Sequence, residues 1–383
     1  MNITCDITDL KRGLAQIGHT YSTRGSLPIL SHLLLEATDG YVQLTTTNLE
    51  MTVCCQIPAQ VHVAGKTTVL AKVFIDYITM LTSPSVTLAS LPDGAPGGIN
   101  ITADRKVANL RGIDPAEFPH VGADLSSEHS EAIYTLDSEA LKYLIQSTSI
   151  AVAVDDSRPV FTSIVMETVD ASHIAFVAAD TFRLALKIDP VTYTTAPAIG
   201  TKILVPGRSM DVLVKLLPST GQIMIHYHPN FVWFRYAGAD ALIQRTEGAF
   251  PQYQSIIPTE TAITAQVDRK QLLGAIKQAL LFTKNVSGNT AVTMTLQEHT
   301  VAVSASEDDG GDVYAEIDAT GIAPDTNVAI LLNAQFLRDV LEVMQTDQVV
   351  IRANTPQTPI ILQPYETDTT YTHVIMPLYK RGR

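Results

Sequence analysis

Three stretches of this 383-residue chain repeat one unit at even spacing, and that spacing limits the possible folds more than any other feature. Each stretch opens on an acidic or hydroxyl residue and continues as a short amphipathic run. The three are Thr8-Asp9-Leu10-Lys11, Asp137-Ser138-Glu139-Ala140-Leu141 and Asp268-Arg269-Lys270-Gln271-Leu272. Leu10, Leu141 and Leu272 stand 131 residues apart twice over. A second helical pattern recurs inside each unit, at Ala71 to Tyr77, Pro206 to Leu217 and Asn333 to Met344. A chain that uses one fold three times is usually assembling a symmetric object rather than a single active site.

Length agrees, because 383 residues exceed what one hydrophobic core organises. The period selects three domains, expected at 1–125, 126–258 and 259–383. Two matching phrases mark the boundaries, Asp114-Pro115-Ala116-Glu117-Phe118-Pro119 and Glu247-Gly248-Ala249-Phe250-Pro251-Gln252-Tyr253. Polar stretches follow them, Gly122 to Ser130 and Thr259 to Thr264.

The helical spacing predicts helices over 9–20, 71–81, 137–148, 206–217, 268–281 and 333–344, with Asp9, Asp137 and Asp268 capping free N–H groups. Strand-like alternation fills the intervals. Leu33 to Ala37 turns through Thr38-Asp39-Gly40 into Tyr41 to Thr47; 164–168 with 174–178 and 292–296 with 301–305 form similar hairpins. Further strands are expected at 86–90, 99–103, 222–227, 231–236, 312–318, 348–353 and 360–363, and an exposed loop at Pro92 to Gly98. Each unit is therefore α+β with mostly antiparallel pairing.

No apolar run reaches the roughly 18 residues a membrane span needs, and the start, Met1-Asn2-Ile3-Thr4-Cys5-Asp6, has no signal-peptide pattern. A cytoplasmic protein is expected. Three cysteines, two of them adjacent at Cys54 and Cys55, suggest neither a bridge nor a zinc site.

The net charge of −13 argues against nucleic acid until its distribution is read. The six candidate helices hold ten Lys/Arg and eight Asp/Glu, so they sum to +2 and the remainder to −15. That separation would steer a polyanion toward one surface, although a solvated helix face would carry the same charges. Enzyme signatures are missing: no GxGxxG, P-loop, GxSxG or HExxH. His226 and His228 share a strand without a third ligand; Asp155-Asp156 reads as a turn and Asp180 as a structural carboxylate. No cofactor or metal is expected.

Several phrases then combine: Ser26-Leu27-Pro28-Ile29-Leu30, Thr47-Asn48-Leu49-Glu50, Ala178-Ala179-Asp180-Thr181-Phe182-Arg183-Leu184-Ala185, Val205-Pro206-Gly207-Arg208, Gly248 to Tyr253, and Val374-Ile375-Met376-Pro377-Leu378. In this order, over a threefold repeat, the chain resembles the bacterial sliding clamp, the β subunit of DNA polymerase III. The resemblance implies a DNA-clamp fold of three domains, each with two helices backed by antiparallel sheets. It also implies a head-to-tail homodimer that forms a ring around duplex DNA. Simple geometry is compatible with two chains: six helices ~10 Å apart enclose only ~9 Å, whereas twelve enclose ~28 Å, enough for a duplex.

The resemblance further implies a non-catalytic processivity factor for DNA replication, with three sites. The DNA-facing candidates are Arg24, Lys72, Arg208, Lys215 and Lys277. They would meet double-stranded DNA without sequence preference. A peptide pocket would receive short hydrophobic motifs of the polymerase III catalytic subunit, the clamp loader and other replication and repair proteins. By position it would use Phe161, Ala179, Thr181, Phe182, Arg183, Leu184, Pro251, Ile256, Asn333, Phe336, Pro359, Val374, Met376, Pro377 and Leu378. The dimer interface would set Arg105, Lys106 and Leu110 against Leu280, Leu281, Glu307, Asp308 and Asp309.

The chain also departs from the family pattern. Thr181-Phe182 stands where the family often has Gly-His, Ser255 where arginine is common, Ala108 in place of a large interface residue, and Tyr379 to Arg383 extend the tail. Other classes stay open at this stage: an enzyme on a repeated scaffold, a specialised second clamp, or a non-DNA interaction scaffold on the same fold.

Overall fold

A computed structural model describes residues 1–22, 27–92, 96–119, 133–195, 197–283, 290–307, 310–365 and 370–379. Three successive copies of one motif make up the chain. The first runs β1 (Asn2–Asp6), α1 (Ile7–Ile17), β2 (His32–Thr38), β3 (Tyr41–Thr47), β4 (Met51–Pro58), β5 (Gln60–Val63), β6 (Gly65–Leu70), α2 (Ala71–Met80), β7 (Ser85–Ser90), β8 (Gly98–Ala103) and β9 (Lys106–Arg111). The second runs β10 (Ile133–Asp137), α3 (Ser138–Ser149), β11 (Ser163–Thr168), β12 (His173–Ala179), β13 (Arg183–Pro190), β14 (Thr192–Tyr193), β15 (Lys202–Pro206), α4 (Gly207–Leu216), β16 (Gln222–Tyr227), β17 (Phe231–Tyr236) and β18 (Ala239–Gln244). The third runs β19 (Ile263–Asp268), α5 (Arg269–Leu280), β20 (Ala291–Gln297), β21 (Thr300–Glu307), β22 (Gly311–Thr320), β23 (Asn327–Asn333), α6 (Ala334–Val343), β24 (Gln348–Ala353), β25 (Ile360–Pro364) and β26 (Tyr371–Ile375).

The repeat holds residue by residue. Leu10, Leu141 and Leu272 are all fully buried, as are their i+4 partners Ile145 and Ile276, with Leu14 nearly so. Residues four apart share one helix face, so this spacing seats each first helix on its sheet. Each second helix buries its fourth residue, Phe74, Met210 or Leu337, and opens on a buried small residue, Ala71, Gly207 or Ala334. At Gly207 an added Cβ would meet Val152 Cγ2 at 2.8 Å, so the close approach requires glycine.

One backbone bond recurs three times. The first residue of each first helix donates its N–H to the carbonyl just before the strand that follows the second helix. These bonds are Ile7 to Pro84 (3.1 Å), Ser138 to Gly221 (2.8 Å) and Arg269 to Asp347 (2.8 Å). The flanking strands pair in matching register, Asp6 with Ser85, Asp137 with Gln222 and Asp268 with Gln348. A side chain of each first helix also reaches the carbonyls near the end of the second: Lys11 Nζ to Leu81 O (2.7 Å), Ser138 Oγ to Pro218 O (2.5 Å), and Arg269 Nη1 to Leu341 O (2.8 Å). Leu81 and Leu341 stand at the ends of α2 and α6, where helix carbonyls lack intrahelical partners, so those two bonds satisfy an open helix end, while Pro218 lies just beyond α4.

One predicted cap is corrected. Asp6, not Asp9, caps α1, its Oδ1 accepting from Thr8 N at 2.7 Å; the helix spans 7–17 rather than 9–20. Asp9 lies in the first turn and pairs with Arg12 at 2.7 Å. Asp268 caps α5 as expected, accepting from Gln271 N at 2.8 Å.

The chain forms two compact units, residues 1–142, 191–198 and 208–245, and residues 143–190, 199–207 and 246–383. The first contains a five-stranded sheet, β5-β1-β7-β8-β9, and a nine-stranded sheet, β14-β10-β16-β17-β18-β4-β3-β2-β6. The second contains a twelve-stranded sheet, β15-β11-β12-β13-β26-β25-β24-β19-β22-β21-β20-β23. Each large sheet carries one joint between copies. In the first unit β18, the last strand of copy two, pairs with β4, the fourth strand of copy one. In the second unit β26, the last strand of copy three, pairs with β13, the fourth strand of copy two. Both joints are antiparallel and use the same two positions of the motif.

Cys5, Cys54 and Cys55 are buried free thiols, each pushed up to about 12 chiefly by burial, so all three stay protonated and unreactive. His226 and His228 do not act together: His226 stacks on Trp233 (4.8 Å between centroids), while His228 lies beyond β16 and stacks on Phe231 (4.1 Å). Among the described residues no cluster of three His, Cys, Asp or Glu is placed to hold a metal ion, and no helix is long and apolar enough to cross a membrane. Asp155 accepts from Ser157 N at 3.0 Å, the turn the sequence suggested. Of the loop expected at 92–98, residues 93–95 lie outside the described residues. Gly98 is not exposed; it opens β8 and donates to Thr67 Oγ1 at 3.0 Å. The polar stretch 122–130 is also outside them.

Candidate functional site

A hollow of about 360 Å3 opens in the second unit, where four segments converge. The turn from β12 into β13 supplies Ala179, Thr181, Arg183 and Leu184; the 3-10 turn before β11 supplies Phe161. Phe250, Pro251, Tyr253 and Ile256 come from the segment after β18, and Val374 and Met376 from β26 and the residue after it. Nine of the fifteen sequence-predicted pocket residues are thus brought together. Phe250 and Tyr253 were missed as lining residues, although the phrase Gly248 to Tyr253 was in view, because it read as a boundary.

The turn owes its shape to Asp180. Its Oδ1 accepts from Phe182 N and Arg183 N, both at 3.0 Å, and holds Thr181 at φ +80°. A β-branched residue is strained in that left-handed region, by about 1–2 kcal/mol. Glycine adopts it freely, which gives physical content to the Thr181 departure. The turn leaves the Phe182 side chain 58% exposed. The Phe182 carbonyl accepts from Met376 N at 2.8 Å, tying the turn to the chain end.

Polar groups at the lining are engaged within the unit. Arg183 donates from Nε to Asp180 Oδ2 (3.0 Å) and from Nη1 to Asp339 Oδ2 (2.8 Å), and its guanidinium lies 4.1 Å from the Phe336 ring centroid. Tyr253 donates to Glu167 Oε2 at 2.8 Å; burial and that carboxylate push its phenol up, so it stays protonated. His373, inside β26 and fully buried, is pushed down to about 3 by burial and by the nearby Arg183 charge, so it is neutral here. The hollow is therefore a carbon-walled site suited to an uncharged apolar group.

Six predicted pocket residues do not line it. Asn333 is a buried helix cap, its Oδ1 accepting from Gln335 N at 2.9 Å. Phe336 supports Arg183. Phe182 points to solvent, Pro359 precedes β25 half-buried, Pro377 is buried, and Leu378 donates its N–H to Leu331 O at 2.8 Å.

Of the DNA-facing candidates, Arg24 lies outside the described residues; Lys72, Arg208, Lys215 and Lys277 are exposed on α2, α4 and α5. Lys72 pairs with Asp76 at 2.9 Å and Lys277 with Glu342 at 2.8 Å, so part of the helical positive charge is already balanced.

The interface candidates fall on two open edges. Among the described residues β9 pairs only with β8, and it carries exposed Lys106, Val107 and Arg111 with Arg105 beside it; Leu110 is half-buried. Along Gly311 to Asp318, β22 pairs among the described residues only with β21, and it presents Asp312, Glu316 and Asp318 with Tyr314 61% exposed. Glu307 ends β21, and Leu281 beyond α5 is 79% exposed with Leu280 half-buried beside it. Asp308 and Asp309 lie outside the described residues.

A threefold α+β motif whose copies join last strand to fourth strand, with one strand of each kind left open, defines a clamp-type repeat protein. Models of the DNA polymerase III beta subunit match the chain in tandem: the N-terminal domain over residues 1–122, the central domain over 135–252 and the C-terminal domain over 254–379. The beta sliding clamp of Synechocystis sp. is 24% identical over 397 residues, covering 99% of each chain. The DNA polymerase sliding clamp of Bacillus subtilis superposes with a TM-score of 0.90 at 22% identity, covering 99% of both chains. A Bartonella birtlesii sliding clamp, solved bound to griselimycin, superposes at 0.87 with 23% identity over 99% of this chain and 100% of that one. This chain belongs to the DNA polymerase III β-subunit family.

Proposed function

We propose that this protein is a cytoplasmic processivity factor, a non-catalytic clamp. Two copies close head to tail into a ring around duplex DNA, and the hollow tethers the polymerase and other partners by short apolar peptides. The domains are those read from the repeat, 1–125, 126–258 and 259–383.

One observation carries the ring. Two joints within the chain pair the last strand of one copy with the fourth strand of the copy before it, β18 with β4 and β26 with β13. The same rule leaves one edge of β9 and one edge of β22 (Gly311 to Asp318) unpaired among the described residues, and a second chain supplies each with the other. An open strand edge is a template for another strand. Here the edges also differ in sign, which favours β9 meeting β22 over like meeting like. Two equivalent contacts close the assembly at two chains. Sedimentation at micromolar concentration should give twice the 41.5 kDa chain mass; a monomer there would sink the ring.

The tether rests on the hollow's chemistry. A carbon-walled cleft with a flexible methionine at its mouth suits a short hydrophobic peptide. The partners in view are the polymerase III catalytic subunit, the clamp loader and other replication and repair proteins carrying such motifs. Truncation after Ile375 removes Met376 and keeps all of β26. It should weaken binding of a polymerase-tail peptide at least roughly tenfold in fluorescence polarisation, the scale of losing an interface anchor. The dimer should persist. Unaltered affinity in the folded truncated chain would place the peptide elsewhere. Met376→Ala, with the tail retained, should weaken binding in the same direction and guards against a folding defect.

A further inference from the structure

We infer, resting on the ring reading above, that the three copies are unequal toward phosphate. Copy two supplies the contacting cations, Lys142 on α3 and Lys215 on α4, while the helices of copies one and three offer charge that is already matched.

Counting charge points elsewhere. The helices of copy three hold four cations, Arg269, Lys270, Lys277 and Arg338, against two carboxylates. All four are engaged. Arg269 donates to Leu341 O at 2.8 Å, Lys270 pairs with Asp347 at 3.4 Å, Lys277 with Glu342 at 2.8 Å and Arg338 with Asp339 at 3.1 Å. In copy one Lys11 bonds Leu81 O, Arg12 pairs with Asp9 and Lys72 with Asp76. Arg208 of copy two is engaged as well. Among the described residues, Lys142 and Lys215 are the helical cations with neither a hydrogen bond nor an ion pair; Lys215 is exposed and Lys142 half-buried.

The repeat supplies the reason. Lys142 follows the buried Leu141 as Lys11 follows Leu10. Copy one uses its lysine to hold the end of the second helix, and copy three uses Arg269. Copy two uses the uncharged Ser138, whose hydroxyl donates to Pro218 O, and its lysine is left over. Lys215 is the ninth residue of α4, where α2 has Thr79 and α6 has Glu342. Lys277, the partner of Glu342, stands five residues after Leu272; the same place is Gln146 in copy two and Ala15 in copy one. That position pair is therefore an ion pair in copy three, uncharged in copy one, and singly positive in copy two.

A paired lysine brings its carboxylate to any contact. A phosphate approaching Lys277 also approaches Glu342, so attraction and repulsion largely cancel. A lysine with no carboxylate beside it can replace a condensed counterion on DNA.

The experiment uses the full chain and a short labelled linear duplex, with affinity followed by anisotropy over a salt series. Two double variants remove the same formal charge. Lys142→Gln with Lys215→Gln should flatten the log–log salt slope by about 2 and weaken low-salt binding roughly tenfold or more, since about two fewer counterions are released. Lys72→Gln with Lys277→Gln should leave the slope within about 0.5 of the unmodified chain. Lys142→Arg with Lys215→Arg should keep the slope, which a folding defect at either position would not. Equal flattening by the two glutamine variants, or more from the Lys72 and Lys277 pair, overturns the assignment and leaves the ring standing. If the unmodified chain does not bind the duplex even at the lowest salt, the DNA reading itself falls, and this inference with it.

Discussion

Bound to a nicked plasmid, this protein should remain there through moderate salt and leave within the mixing time once the circle is cut. The expected contrast is large because two different terms hold it. Contact energy is small: the chain carries −13 net charge, and Lys72 and Lys277, two of the helical cations, are already paired with Asp76 and Glu342. Counterion release from phosphate scales with the number of cations that engage it. If two to four engage, affinity for linear duplex falls with a log–log salt slope of only about −2 to −4 and is weak throughout. A closed ring on a circle has no end to leave by, so its lifetime follows ring opening. We expect a lifetime ratio of circle to linear DNA of at least roughly a hundredfold, the difference between weak phosphate contacts and a dimer that must open. Substituting Arg24, Lys72 and Arg208 together by alanine should weaken linear-duplex binding and slow loading, yet hardly change the lifetime on the circle. Rapid salt-dependent loss from intact circles with the dimer preserved would identify a surface binder.

Reversing the β9 edge should dismantle the dimer. Arg105→Glu and Lys106→Glu combined with Leu281→Asp place negative charge against the acidic β22 edge and remove an apolar side chain that is 79% exposed in the single chain. Like charges facing across an interface cost several kcal/mol. About 3 kcal/mol is already more than a hundredfold in dissociation constant. The triple variant should therefore sediment as a monomer at concentrations where the unmodified chain is expected to dimerise, and circles should no longer retain it. Adding Glu307→Lys and Asp312→Lys to the same chain should recover dimerisation, since opposite charges face each other again. An unchanged dimer constant in the triple variant would remove β9 and β22 as the joint. The thermal transition of the variant checks that each chain remains folded.

The helices were legible because helix formation here is locally encoded. Leu10, Leu141 and Leu272 with their i+4 partners announce three buried faces within a few residues of sequence, and Asp268 announces its own helix start. Hairpins such as β2 to β3 were legible for a similar reason, a turn between two alternating runs. β4, β13 and β26 were not recognised as strands. Met51 to Cys55 and Tyr371 to Ile375 are buried on both faces, so neither shows the alternation that marks a half-buried strand. The hollow was partly legible through the phrase around Asp180 to Leu184, but Asn333 and Phe336 lie outside its lining. Position in a family pattern does not separate a residue that lines a cleft from one that caps a helix or supports an arginine beneath it.

Sequence by itself determined the repeat and the helical segments, because each depends on spacing within one short segment; its resemblance to a family named most of the carbon walls of the hollow. Tertiary structure alone decided which strands meet, which edges stay open and which charges already have partners. Arg183 and Asp339 are 156 residues apart and ion-paired at 2.8 Å. β26 and β13 belong to different copies of the motif. Strand pairing and ion pairing join segments distant along the chain, where no local period records the contact. The open edges of β9 and β22 emerge only once the pairing of the last and fourth strands in the other copies is known.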